Sequence, residues 1–490
     1  MKLWHLDEPQ LEFGGGGTHI DVRFGLMLHG PVDLGTANAP SDLRLGVVGT
    51  QQTIEQLVEW LERCQKGVPA KSSRRGNLFP RFPGFSLESS LRSRLIIDDR
   101  WAEPVHGGEI SGVVLGGGRQ EAVRDAADLF LDRVRRLHDR GGPMVVVCAP
   151  PEEMLASLEG DVKGVQDVDE ELDEGSETHG DRRNVTGPAF HDLLKAKALS
   201  VGIPLQMVRP ETYGQVTQSS RRKAKSRRGL QDEATRAWNF HTALYYKAGG
   251  IPWRLRRESS DLTSCYVGIS FYKSASGDRL ISSMAQVFNE RGEGTVVQGG
   301  LAQIDKEDRQ PHMSEGDAAK LLEGAIASYK VEHRTVPARV IVHKTSSMNN
   351  AELAGFRSGA KAERVDTLEL LSVRRSLSRL FRHGTYPPLR GTYLELDART
   401  HLLYLRGSVS FFETYPGLYV PRPFEFRVVQ GDSTGKGLAE EAFALSKLNW
   451  NNTQFDGGEP ITVRAARRVG SILKHVESGE VSTSRFRFFM

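Results

Sequence analysis

In FHDLLK (190–195) an imidazole, His191, and an ammonium, Lys195, stand four residues apart, so on a helix they share one face. Gln206 follows in the next apolar run, and Lys247 comes late in a further helical stretch. In a parallel α/β layout, helix ends and loops beside neighbouring strands open on one crevice, which can gather such distant positions. Two ammonium groups, a potential imidazolium and an amide are the makings of a phosphate pocket, because charge-assisted donors suit phosphate oxygens. The same spacing also fits a set of unrelated surface bases, and spacing alone does not separate the two.

Two other motifs invite a phosphate and fail on inspection. In GDSTGKG (431–437), Gln430 stands where a phosphate loop needs its first Gly, and Gly437 where it needs Ser or Thr. GGGG (14–17) lacks the strand–helix frame of a dinucleotide site and reads as a flexible turn.

Charge is distributed unevenly. The 490 residues carry a formal charge of only +3, with 38% hydrophobic and 26% charged residues, an ordinary globular composition. Yet ten acids and one base, Lys163, fall between Glu159 and Asp181, and six of the eight residues from Arg221 to Arg228 are Lys or Arg. The acidic stretch, about 157–187, reads as a solvated loop. The basic one, with Arg221, Arg222 and Lys223 at its start, suits contact with phosphates or an exposed loop. Cys64, Cys148 and Cys265 are far apart, which argues against a disulfide framework or zinc site. No apolar run reaches the ~18 residues of a membrane span, and MKLWHLDEPQLEF has no signal-peptide order, so the chain is expected to be cytoplasmic.

The elements that must position these residues read as α/β. A helix from Gln120, the apolar run MVVVCA (144–149), a helix over about 190–199, a strand at 203–210 and a helix over 232–247 alternate as in a doubly wound parallel sheet. A boundary is placed near 255–262. Beyond it, CYVGISFYK (265–273) opens three strands in hairpin order, followed by a helix over 317–331, a strand at 338–346, a short helix at 349–362, and last helices at 438–448 and 461–476. That order is the one expected of a ribonuclease-H-like domain, while periodicity alone supports only an α/β fold with a mixed sheet.

The run QDEATRAWNFHTALYYKAGGIPWRL (231–255), CYVGISFYK after it, and LSKLNWNNTQF (445–455) resemble an Argonaute protein at the junction of its MID and PIWI domains. With no PAZ-sized region, the chain resembles the short prokaryotic Argonautes over most of residues 100–490. The resemblance implies a Rossmann-like MID domain followed by a ribonuclease-H-like PIWI domain. The expected division is a lead-in over 1–100 packed with MID, MID over 101–258 and PIWI over 259–490.

It also implies roles. The family's motif for the guide 5′-phosphate falls on His191, Lys195, Gln206 and Lys247, and a Mg²⁺ ion with the Met490 carboxylate is expected beside that phosphate. Arg221, Arg222, Lys223, Arg254, Arg464, Arg467 and Arg468 are candidates for backbone contacts, although the last three also fit an exposed helix face. Trp253 and Trp450 read as core or interface residues.

Active relatives hold two metals between carboxylates, and a hydroxyl or amide replaces a carboxylate poorly around Mg²⁺. The matching positions here are Ser270, Thr345 and Asn451 or Asn452. Glu290 or Glu293 matches the family's mobile glutamate, while Asp261 and Asp278 flank the strand in the wrong places.

The resemblance therefore implies a nuclease-dead short Argonaute. It would bind a 5′-phosphorylated small guide RNA and a complementary single-stranded DNA target. As a heterodimer it would activate an APAZ-containing effector (DNase, sirtuin-type or TIR NADase) in prokaryotic defence. An active guide-dependent metal nuclease and a dinucleotide-binding enzyme are the rival readings.

Overall fold

A computed structural model describes residues 1–159, 189–214, 231–256, 262–275, 277–288, 294–381, 383, 387–417, 420–476 and 485–490, with backbone only for 283–288. In chain order the first half comprises β1 (Lys2–His5), β2 (Leu11–Glu12), β3 (Thr18–His19), α1 (Val22–His29), β4 (Asp42–Gly49), α2 (Gln51–Gln65) and β5 (Arg94–Pro104). It continues through α3 (Gly107–Leu115), α4 (Arg119–Arg140), β6 (Val145–Ala149), α5 (Glu152–Glu159), α6 (Phe190–Ala198), β7 (Leu205–Met207), α7 (Pro210–Tyr213) and α8 (Glu233–Lys247).

Strands β4 to β7 make a wholly parallel sheet in the order β5-β4-β6-β7. The continuous apolar run of β6 is explained by two cores. Val145, Val147 and Ala149 enter one with α2 and α8, while Val146 and Cys148 enter another with α4, α5 and α6. A strand buried on both faces has no polar side to show. The strand expected at 203–210 is cut to three residues because Pro210 starts α7.

The second half comprises β8 (Arg254–Leu255), β9 (Ser264–Lys273), β10 (Leu280–Phe288), β11 (Gly294–Ile304), β12 (Pro311–Met313), α9 (Glu315–His333), β13 (Arg339–Lys344), α10 (Asn350–Ala362) and β14 (Thr367–Arg375). It closes with β15 (Thr392–Glu395), β16 (Thr400–Leu403), β17 (Phe424–Gln430), α11 (Gly435–Leu445) and α12 (Ile461–Leu473). The sheet order β11-β10-β9-β13-β14 is 3-2-1-4-5 in strand sequence. The first three strands are antiparallel, and β13 and β14 run parallel to β9. Helix α12 lies across β9 so closely that a Cβ at Gly268 would sit 2.0 Å from the Thr462 carbonyl oxygen.

The first hundred residues do more than lead in. They supply β4 and half of β5 to the parallel sheet, and β1 to the edge of the ten-stranded sheet beside β15. Glu8 binds Lys447 (2.9 Å) and Arg390 (3.1 Å) of the second half, so this segment packs on both halves rather than on the first alone. A boundary at residue 100 falls inside β5. The expected acidic loop lies almost wholly outside the described residues, as does the core of the expected boundary, 257–261. Among the described residues no helix is long and apolar enough to cross a membrane.

Candidate nucleic-acid interface

Helix α6 sinks Phe190, Leu193 and Leu194 into the core shared with α4, with the Phe130 and Phe190 rings edge to face at 5.6 Å. This anchors the helix and aims the His191–Asp192–Lys195 side at the second half. His191 Nδ1 lies 3.0 Å from Asp192 Oδ1 and 3.0 Å from Arg468 Nη2 of α12, and Arg468 Nη1 donates to Asp192 Oδ1 at 3.1 Å. Lys195 Nζ donates to the main-chain oxygen of Met490. Both Lys195 and Met490 are buried.

A second contact group forms around α8. Tyr246 stacks on Trp450 at 5.0 Å, and the next residue of each partner, Lys247 and Asn451, meets through a 3.1 Å hydrogen bond. Lys247 also donates to Gln206 Oε1 on β7 at 2.6 Å. The chain's final residues span the two groups. Met490 touches α6, while Arg487 lies over Gly249, where a Cβ would come within 2.8 Å of its guanidinium. Gly249 has a φ of 103°, the left-handed conformation that ends helices and favours Gly. Thus His191, Lys195, Gln206 and Lys247 all lie where α6, β7 and α8 meet the second half.

Electrostatics corrects one expectation. His191 is held below the ordinary histidine range by burial and by the charges of Lys195 and Arg468, with Asp192 opposing. It is a neutral imidazole near pH 7 rather than an imidazolium, and offers one N–H.

The arginines expected on nucleic-acid backbone are placed as follows. Arg254 forms an ion pair with Glu12 (2.6 Å), and Arg467 forms one with Glu459 (2.5 Å). Arg464 is half-buried and Arg468 is buried, so this side of α12 is not an exposed charged face. Arg221, Arg222 and Lys223 lie outside the described residues. Trp253 and Trp450 are buried and linked, Trp450 Nε1 donating to the Trp253 carbonyl at 3.0 Å.

Ser270 is buried on β9, and Thr345 follows β13, its N–H donating to Ile269 at 3.0 Å. Asn451 turns its side chain to Lys247, accepting from its ammonium at 3.1 Å. On that face α12 covers β9, and its Thr462 Oγ1 lies 2.8 Å from His343 Nδ1. The helix that follows Pro460 packs directly on the strand at Gly268. Glu290, Glu293 and Asp261 lie outside the described residues, and Asp278 is exposed and bound to Ser274. Among the described residues, no group of three or more His, Cys, Asp or Glu side chains is placed to hold a metal ion. The Met490 main-chain oxygen, expected beside Mg²⁺, accepts from the Lys195 ammonium.

The GDSTGKG loop has an internal anion. The Ser433 N–H and hydroxyl donate to Glu369 Oε1 at 3.1 and 2.6 Å, while Thr434 caps α11. The motif is thus spent on a structural carboxylate. Three participants carried no sequence signal strong enough to single them out: Asp192, Arg487 and the pairing of Asn451 with Lys247.

A doubly wound parallel sheet joined to a 3-2-1-4-5 sheet matches the MID–PIWI fold of an Argonaute. Among solved structures, the chain is similar to the Clostridium butyricum Argonaute bound to a guide DNA (5′ deoxycytidine) and a 19-mer target DNA, with a TM-score of 0.64 and 14% identity. The match covers 98% of this chain and 53% of that one, so the chain spans about half its length. No protein-family model matches the sequence, and no curated protein matches it.

Proposed function

We propose that this chain is a short Argonaute that binds a 5′-phosphorylated small guide, which we take to be RNA, and pairs it with a complementary single-stranded DNA target. The observation that carries the reading is the burial of Lys195, Lys247 and Arg468 at the junction of the two halves, where α6, α8 and α12 converge. Buried cations at such a junction favour a bound anion, and a terminal phosphate satisfies several donors at once. Base pairing then supplies sequence specificity, with the protein holding backbone and duplex shape.

In this reading the PIWI half recognises and does not cut, since Ser270 and Thr345 offer hydroxyls where two-metal hydrolysis uses carboxylates. Catalysis belongs to an associated APAZ-containing effector, in defence against plasmids or phage. Mg²⁺ at the guide phosphate would be held chiefly by the phosphate's own oxygens. The test is direct binding of one RNA sequence with either a 5′-phosphate or a 5′-hydroxyl, followed by addition of matched DNA with Mg²⁺ or Mn²⁺. Preference for the phosphate and an intact target support the reading. Equal binding of both ends counts against the pocket, and guide-dependent cutting by the isolated chain counts against the inert PIWI half.

A further inference from the structure

One member of the phosphate pocket has the wrong sign for its neighbourhood. Asp192 is only 4% exposed, yet it sits one residue from His191 and in direct contact with Arg468. Burial pushes its carboxyl up, but the His191 hydrogen bond and the Arg468 charge hold it well below the usual carboxylate range, so it stays ionised.

The three side chains also compete for one nitrogen. His191 Nδ1 stands 3.0 Å from an acceptor, Asp192 Oδ1, and 3.0 Å from a donor, Arg468 Nη2. A single nitrogen of a neutral imidazole can donate or accept, not both. Arg468 Nε is buried with no hydrogen-bond partner among the described residues. Among the described residues, the negative charge that Arg468 touches is that of Asp192, at 3.1 Å.

We infer that Asp192 is a resident anion, holding Arg468 where a guide phosphate would engage it, and that its charge limits how strongly the pocket favours a 5′-phosphate. This rests on the reading of the pocket as the guide-phosphate site. Two consequences of removing the charge compete: loss of like-charge repulsion tightens phosphate binding, and loss of Arg468 positioning weakens it. The first should win in Asp192→Asn. The new amide is nearly isosteric, its oxygen still accepts from Nη1, and Arg468 remains packed in α12 and bonded to His191.

The experiment uses the full chain and one RNA carrying either a 5′-phosphate or a 5′-hydroxyl, measured by fluorescence anisotropy. Asp192→Asn should tighten binding of the phosphorylated RNA by about tenfold, a modest fraction of what a unit charge exerts at close range. The hydroxyl RNA should change by less than about twofold, since it brings no terminal charge to the pocket. Asp192→Glu, which keeps the charge, should not tighten binding. Where Asp192→Asn does not fold, Asp192→Ser removes the same charge and must give the same selective gain. A phosphate-to-hydroxyl ratio that stays level or falls in the charge-free variant overturns the inference while leaving the pocket intact. No preference for phosphate in the wild-type chain overturns both together.

Discussion

Lys247 donates to Asn451 across the junction of the two halves, Nζ to Oδ1 at 3.1 Å, and the same ammonium donates to Gln206 at 2.6 Å. One buried cation therefore bridges the parallel sheet and the loop that precedes α12. Lys195 makes the corresponding link from α6 to Met490.

If these two ammonium groups hold a terminal phosphate, losing both must act on the phosphate and not on the rest of the oligonucleotide. Hydrogen bonds to charged groups contribute about 1.5–3 kcal/mol each. Lys195→Ala with Lys247→Ala is expected to weaken the 5′-phosphorylated RNA roughly a hundredfold or more, and the hydroxyl form only a few-fold. Parallel titrations of the two RNAs decide it. Equal losses would mean that the lysines hold the domain junction together and do not read the phosphate.

Acid should weaken the fold before it reaches the carboxylates. Burial pushes both His241 and His343 down from 6.5 to about 4, with the charge of Arg339 adding to the effect on His343. The unfolded chain takes up these protons near pH 6.5 and the folded chain only near 4. Their contribution is therefore complete above 6.5 and is lost as pH falls toward 4. Between pH 7 and 5 each histidine should cost about 2 kcal/mol of stability, from ~1.4 kcal/mol per pH unit per group. Urea unfolding at the two pH values measures the slope. His241 lies among Phe82, Phe85, Phe240 and Trp60, so His241→Phe should remove its share of the slope.

Local patterns gave most of the architecture and left the contacts between distant segments open. The apolar run at 144–149 announced a strand buried on both faces, and Gly249-Gly250 announced the end of α8. The i, i+4 spacing of His191 and Lys195 placed them on one helical side. Nothing local says that α12 lies on β9, because that depends on Gly268 lacking a side chain at the point where Thr462 approaches. The pairing of Asn451 with Lys247 is equally non-local. Asp192 was passed over for a related reason, since an acid beside a histidine has meaning only once Arg468 arrives from 276 residues away.

Two glycines test that packing from opposite sides. Gly268→Ala would drive a methyl group to 2.0 Å from the Thr462 backbone oxygen, so α12 must shift off β9. A loss of about 1–3 kcal/mol or more is expected, the range for overpacking a tight core. Gly316 in the first turn of α9 has nothing within 4 Å of its added Cβ. There the same change should stabilise by about 0.4–1 kcal/mol through the unfolded state. Chemical denaturation of both variants gives the comparison, and a Gly268→Ala protein as stable as the parent would contradict the close approach.

Below Thr345 lies a charged group that should behave as a unit. Lys344 Nζ is 3.1 Å from Glu352 Oε1, both side chains are fully buried, and Glu352 also accepts from the Met313 N–H at 2.9 Å and pairs with His312 at 2.7 Å. Burial pushes Lys344 down to about 8, with the Glu352 charge opposing, so the amine is charged at pH 7. Glu352→Gln leaves that ammonium with neutral acceptors only, on Pro311, Ser346 and Ser347. Lys344→Met leaves the carboxylate with His312 and the Met313 N–H but without its buried cation. Each is expected to cost about 3–5 kcal/mol. The double variant leaves neither charge unpaired, and Met can lie along the Phe271 ring that now faces the ammonium at 5.1 Å. It should therefore cost less than the sum of the singles by about 1–3 kcal/mol. A double-mutant cycle in urea at pH 7 measures this coupling. Costs that add within about 0.5 kcal/mol would show that the two charges are independently solvated and do not fix the strand end that carries Thr345.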